Sequence, residues 1–205
     1  YAGDLRDASR VGEIVAAGDM TGKQRNKLLA EMTDAVGALV LGNNYKQTQA
    51  LSLAERRARE RLAEYKRLMA ALEAAGKLDR AIEYLPTEEQ LTERAANGKG
   101  LTRPELSVLI SYSKIDLKEA LLKSLVPDDD YLAREMESAF PAQLTNMFGE
   151  SMPRHRMKRE IVSTQIANDL VNHMGITFVQ RLKESTGMSA ANVAGAYVIV
   201  RDIFH

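Results

Sequence analysis

Apolar residues return every three or four positions along most of the chain, the spacing of helices that bury one face. After Thr21, a plausible N-cap, they fall at Leu28, Leu29, Met32, Val36, Leu39 and Val40 until Gly42 and Asn43 interrupt the period. A second long period runs from about Tyr45 to Ala75, with Leu51, Ala54, Ala58, Leu62, Tyr65, Leu68, Met69 and Leu72 as its seam and Gly76 as its stop. Residues 19–76 are therefore expected to form a long helical hairpin, and residues 1–18, with only Val11, Ile14 and Val15 patterned, a tail or junction.

From residue 77 to 205 the segments are shorter and well punctuated, which predicts an irregular bundle of shorter helices. Thr87 with Gln90 has the form of a capping box for a helix ending near Ala96, after which "ANGKG" breaks the chain. Thr102 with Glu105 forms a second box, and Pro104 in the first turn lacks the N–H that would otherwise go unpaired. Leu106, Leu109, Ile110, Ser113, Leu117, Ala120 and Leu121 then line one face. Pro127 and the run Asp128 to Asp130 end that helix and open one carrying Leu132, Met136 and Phe140. A helix from Pro153 closes at Gly175, a short one ends at Gly187, and Ser189 caps the last. Every period is helical, so the fold class is all-α.

Composition narrows the chemistry. The 28 basic and 28 acidic residues cancel, which removes the field that would draw the chain onto nucleic acid or a charged membrane. Within "ERRARERLAEYKR", Glu55 with Arg59, Arg56 with Glu60 and Glu64 with Arg67 are spaced to pair along a solvated helix face. With no cysteine and three scattered histidines, neither a thiolate nucleophile nor a transition-metal site is expected, and a reducing cytoplasm is the natural setting. No apolar run is long enough to span a membrane. No glycine-rich phosphate loop and no isolated pair of carboxylates offers catalysis, so no catalytic, cofactor-binding or metal residue is assigned.

Two weaker patterns remain. "PRHRMKRE" holds Arg154, His155, Arg156, Lys158 and Arg159, a candidate anion or partner contact at a helix start. Residues 176–204 have the outline of a helix-turn-helix, which gives a nucleic-acid-binding regulator as the alternative function. Its second helix offers Asn192 alone among base-reading side chains, so two packed helices of a bundle describe it equally.

Four stretches in order carry a family likeness: "LLAEMTDAVGALVLGNNYKQTQALSL" at 28–53, "LDRAIEYLPTEEQLTERAANGKGLTRPELSVLISYSKIDLKEALL" at 78–122, "DDYLAREMESAFP" at 129–141 and "HRMKREIVSTQIANDLVNHMGITFVQRLKESTG" at 155–187. Together they resemble the C-terminal part of the large bacterial NAD-specific glutamate dehydrogenases. The resemblance implies a parent that oxidises L-glutamate to 2-oxoglutarate and ammonia with NAD as cofactor, a long cytoplasmic homo-oligomer whose catalytic lysine and dinucleotide-binding domain lie upstream. The segment would then be a fragment of the region after the catalytic part. Its partner would be the upstream catalytic domain of the same chain, and no NAD is expected to bind the segment itself. Residues 1–12 lack the Asp-Cys-Ser-Asp-His type of sequence expected shortly before the match.

Overall fold

Thr21 caps the first helix as its sequence foretells: its backbone N–H donates to Gln24 Oε1 at 2.9 Å and its hydroxyl accepts from the Gln24 amide at 3.3 Å. The computed structural model describes residues 20–204; the tail expected over 1–18 lies outside them. Helix α1 (Gly22–Arg56) runs on through Gly42 and Asn43, against the expected break there. An interior glycine costs a helix only about 1 kcal/mol relative to alanine, and neither residue removes an amide from the ladder.

The break comes instead at residues 57–61, inside the charged run, before α2 (Leu62–Ala74). A distant backbone lies against it. A Cβ on Gly100 would lie 2.4 Å from the Ala58 carbonyl carbon and 2.5 Å from the Arg59 amide nitrogen, so the loop before residue 101 presses directly on the chain at the joint. The Arg57 and Ala58 amides tighten onto carbonyls three residues back, Ala54 and Glu55. α1 packs chiefly on the helices at Arg103–Leu122 and Lys158–Met174 and is not laid side by side with α2, so the expected hairpin takes the form of two helices joined at a bend. The charges follow: Glu55 meets Arg103 at 2.7 Å rather than Arg59, Arg67 meets Glu184 at 3.4 Å, and Glu64 accepts from the Thr177 hydroxyl at 2.5 Å. Part of the predicted solvated face is thus tied to neighbouring helices.

Leu62, Tyr65, Leu68, Met69 and Leu72 of α2 are buried as their spacing predicts. α3 (Glu88–Ala96) starts at the Thr87–Gln90 box, and α4 (Arg103–Leu122) at Thr102. After it come 3-10 turns at Val126–Asp128 and Leu132–Ala139, then α5 (Ala142–Phe148) and a 3-10 turn at Met152–Arg154. α6 (Lys158–Met174) begins five residues later than the expected start at Pro153 (158 − 153), because Pro153 lies in that 3-10 turn and the His155 ring accepts the Met157 amide at 3.1 Å. α7 (Phe178–Thr186) and α8 (Ala190–Ile203) complete an architecture with no strand among the described residues.

The core lies between α4 and α6. Leu106, Leu109, Ile110, Leu117 and Leu121 share one apolar cluster with Val162, Ile166 and Leu170, and α2 and α8 close over it with Tyr65, Met69, Ala194 and Val198. A smaller cluster, Leu28, Met32, Leu144 and Met152, seats the first half of α1 on α5 and the turn after it. No helix among the described residues is long and apolar enough to cross a membrane.

Because backbone, not a yielding side chain, stands in the way, Gly100→Ala should destabilise the fold by about 1–3 kcal/mol. Chemical denaturation of the variant beside the parent sequence measures it, and an unchanged midpoint would show that the approach to Ala58 and Arg59 is not tight.

Candidate functional site

Glu105 fixes the start of α4. Its Oε2 accepts from the Thr102 backbone N–H at 2.7 Å, and the same carboxylate receives both arms of Arg94 from α3, at 2.7 and 2.9 Å. The capping box read from sequence is therefore present, with the Glu105 half forming the short bonds. Burial works to raise the Glu105 pKa, but Arg94 and the Thr102 amide outweigh it and hold the carboxyl below its usual range. A two-armed guanidinium contact also sets direction, which orients α3 against α4.

At the other end of α4 stands the basic segment. Arg159 donates to the carbonyls of Leu122 and Ser124 at 2.9 and 2.8 Å and pairs with Asp128. It thereby satisfies acceptors that the helix end leaves open and sets a cation against the negative end of the dipole. His155 tilts against the Phe140 ring at 6.2 Å between centroids. Arg154 closes the 3-10 turn, Arg156 lies exposed just before α6, and Lys158 is its first residue. The five residues therefore do not converge on one point: Arg159 lies on the end of α4, His155 on the Phe140 ring, and Arg154, Arg156 and Lys158 follow one another along the approach to α6.

The helix-turn-helix outline is present as α7, Gly187 and α8, and Ser189 accepts the Asn192 amide at 3.2 Å. Ala190 and Ala191, however, are buried against the core. A groove-reading helix must show its first turn to the base edges. Here Ala190 and Ala191 turn inward and Asn192 is exposed, so that turn presents a single base-reading side chain.

A polar hub that sequence did not reveal joins three elements. Arg201 of α8 reaches Glu135 at 2.5 Å, Asp169 of α6 at 2.9 Å and Asp202 at 2.9 Å. Tyr197 donates to Asp169 at 2.9 Å, and His173 Nδ1 lies 3.0 Å from the other Asp169 oxygen. Arg134 pairs with Asp202 and lies 4.0 Å from the Tyr131 ring centroid. Burial, and then Asp169, push the Tyr197 phenol well above its ordinary pKa, which keeps it a proton donor in this network. Its members lie up to 68 residues apart in sequence, Arg134 to Asp202, and no local motif links them. Among the described residues no group of His, Asp and Glu is placed to hold a metal ion.

Residues 98–205 match the family described as "Glutamate dehydrogenase, C-terminal". The chain belongs to that family. Residues 9–54 match "Bacterial NAD-glutamate dehydrogenase, catalytic domain". This corrects the expectation that the whole segment follows the catalytic part, since catalytic-domain sequence reaches to within two residues of the end of α1 (56 − 54). The chain is 81% identical over 195 residues to the NAD-specific glutamate dehydrogenase of Pseudomonas aeruginosa. It is 54% identical to that of Halomonas elongata and 34% identical to that of Mycobacterium tuberculosis, each over 194 residues. In all three cases 95% of this chain is covered, and the chain spans 12% of the relative's length.

Two pH dependences follow. Glu105 has a lowered folded pKa, so its stabilisation is complete above its unfolded value of about 4.5 and is lost as pH falls through the folded one. Glu105→Gln should cost about 1–3 kcal/mol at pH 7, a difference that shrinks below about pH 4. Unfolding curves at pH 7 and pH 3 test this, and an equal cost at both would show that the charge is irrelevant. Lys114 is the opposite case: burial alone pushes its pKa from 10.5 down to about 8. Its proton is held less well in the fold, so stability should rise as pH climbs from about 8 to 10.5. Lys114→Met should stabilise by about 1–3 kcal/mol at pH 7 and progressively less across that window. A benefit that does not change with pH would refer the effect to packing.

Proposed function

We propose that this chain is the C-terminal helical segment of an NAD-dependent glutamate dehydrogenase and that its task is to hold the end of the catalytic domain in place. The parent, by this reading, is a cytoplasmic homo-oligomer that oxidises L-glutamate to 2-oxoglutarate and ammonia as NAD is reduced. The observation that carries the proposal is the seating of α1, which bears catalytic-domain sequence, in the body of the bundle. Leu28 and Met32 enter a shared apolar cluster with Leu144 and Met152, Gln143 donates to the Glu31 carbonyl at 3.4 Å, and Arg103 holds Glu55. Burying two such side chains contributes on the order of 3–6 kcal/mol. That is enough to fix one helix but leaves the reacting groups to the rest of the polypeptide. Arg154 and Lys158 are then contacts to other parts of the enzyme.

The test is the complete dehydrogenase with residues 98–205 deleted, assayed for glutamate-dependent NADH formation and for sedimentation. Loss of activity together with loss of native assembly is expected. Native assembly at full turnover after deletion would overturn the packing role.

A further inference from the structure

α1 has a second face that the bundle leaves uncovered. Its buried residues, Leu28, Met32 and Ala50, lie on one side. Leu41 stands nine positions from Met32 (41 − 32) and nine from Ala50 (50 − 41), which on a helix is two and a half turns and therefore the opposite side. It is 69% exposed, and Tyr45, one turn on along the same face, is 65% exposed. Between and before them lie Gly37, Ala38 and Gly42. Glycine is the poorest helix former after proline, yet a Cβ at Gly37 or Gly42 would meet nothing within 4 Å. Among the described residues, nothing around these glycines requires them.

We infer that the face of α1 bearing Leu41, Gly42 and Tyr45 is the surface on which the remainder of the catalytic domain of the same polypeptide packs, so that α1 is shared between the two parts. The occupant follows from the family match. Residues 9–54 carry catalytic-domain sequence, and the chain spans only 12% of its relatives' length, so most of that polypeptide lies elsewhere. A helix belonging to a domain must bury a face in it, and the side holding Met32 and Ala50 is already taken by the C-terminal bundle. Leu41 and Tyr45 supply an aliphatic and an aromatic anchor, and the small residues beside them admit a close approach. The inference rests on the proposed function for the identity of the parent, and it adds the residues through which the two parts meet.

Hydroxyl-radical footprinting of the complete dehydrogenase tests it without any reading of turnover. Tyr45 and Leu41 should oxidise at least about fivefold more slowly than in the same protein unfolded, as side chains at the dry centre of an interface do. That protection should persist when the enzyme is diluted to separated protomers. Reactivity matching the 65% exposure found here would overturn the inference, and so would protection lost on dilution, which would assign the face to a second copy. Gly42→Leu supplies the control, since its side chain has open space in this fold and leucine favours helix. It should restore oxidation of Tyr45 while protection of the buried Tyr65 stays unchanged; continued protection of Tyr45 would count against a close approach at that point. Because the readout is local protection, a failure here leaves the deletion result standing, and the reverse also holds.

Discussion

Leu106, Leu109, Ile110, Leu117 and Leu121 on α4, with Val162, Ile166 and Leu170 on α6, are each at most 1% exposed, and the other elements take their places from this seam. Fully burying side chains of this kind contributes about 1.5–3 kcal/mol each, against about 0.5–1.5 kcal/mol net for an ordinary hydrogen bond. Hydrophobic burial does not by itself choose a register. The polar contacts at the seam's edges do: Arg94 and Glu105 at the start of α4, Arg159 on the carbonyls at its end, and Ser113 donating to the Ile176 carbonyl at 3.3 Å between them. The division of labour is physical, because apolar contact is non-directional and hydrogen bonds are not.

The same division explains what the sequence makes legible. The helix starts at Thr21, Thr87, Thr102 and Ser189 are fixed within four residues, so a local pattern contains the whole cause. Apolar periodicity likewise marks the buried residues of α2 and α4, since one face of a helix is a local property. The bend at 57–61 is different. Nothing in the charged run there breaks a helix, and the backbone packed against it belongs to Gly100, some 40 residues later. The Arg201 hub was hidden for the same reason, its partners Glu135 and Asp169 being brought together only by packing. Arg159 could be read as basic, but its use depends on where α4 ends in space.

The bend also bears on how the polypeptide divides. Family sequence of the catalytic part runs to residue 54 and that of the C-terminal part begins at 98, while Gly100 touches the backbone at Ala58 and Arg59. The first residues of the later part therefore press on the chain immediately after the earlier one. A linker between independently moving units would be expected to be exposed, with few contacts across it. Here Ala58 is buried and Arg103 bridges to Ser52 and Glu55 of α1, so this junction is braced.

Neutral net charge has a local counterpart. Lys77 meets Asp116 and Glu119, Arg80 meets Glu73 and Glu88, and Arg94, Arg103, Arg159 and Arg201 each meet carboxylates from other elements. Charges matched within the fold serve geometry, and little field is left over to attract a polyanion. What the surface of α1 offers instead is apolar: Leu41 and Tyr45, on the side away from the bundle. Recognition through such a face depends on shape and on exclusion of water. It suits a permanent neighbour within one polypeptide better than a charged ligand that comes and goes.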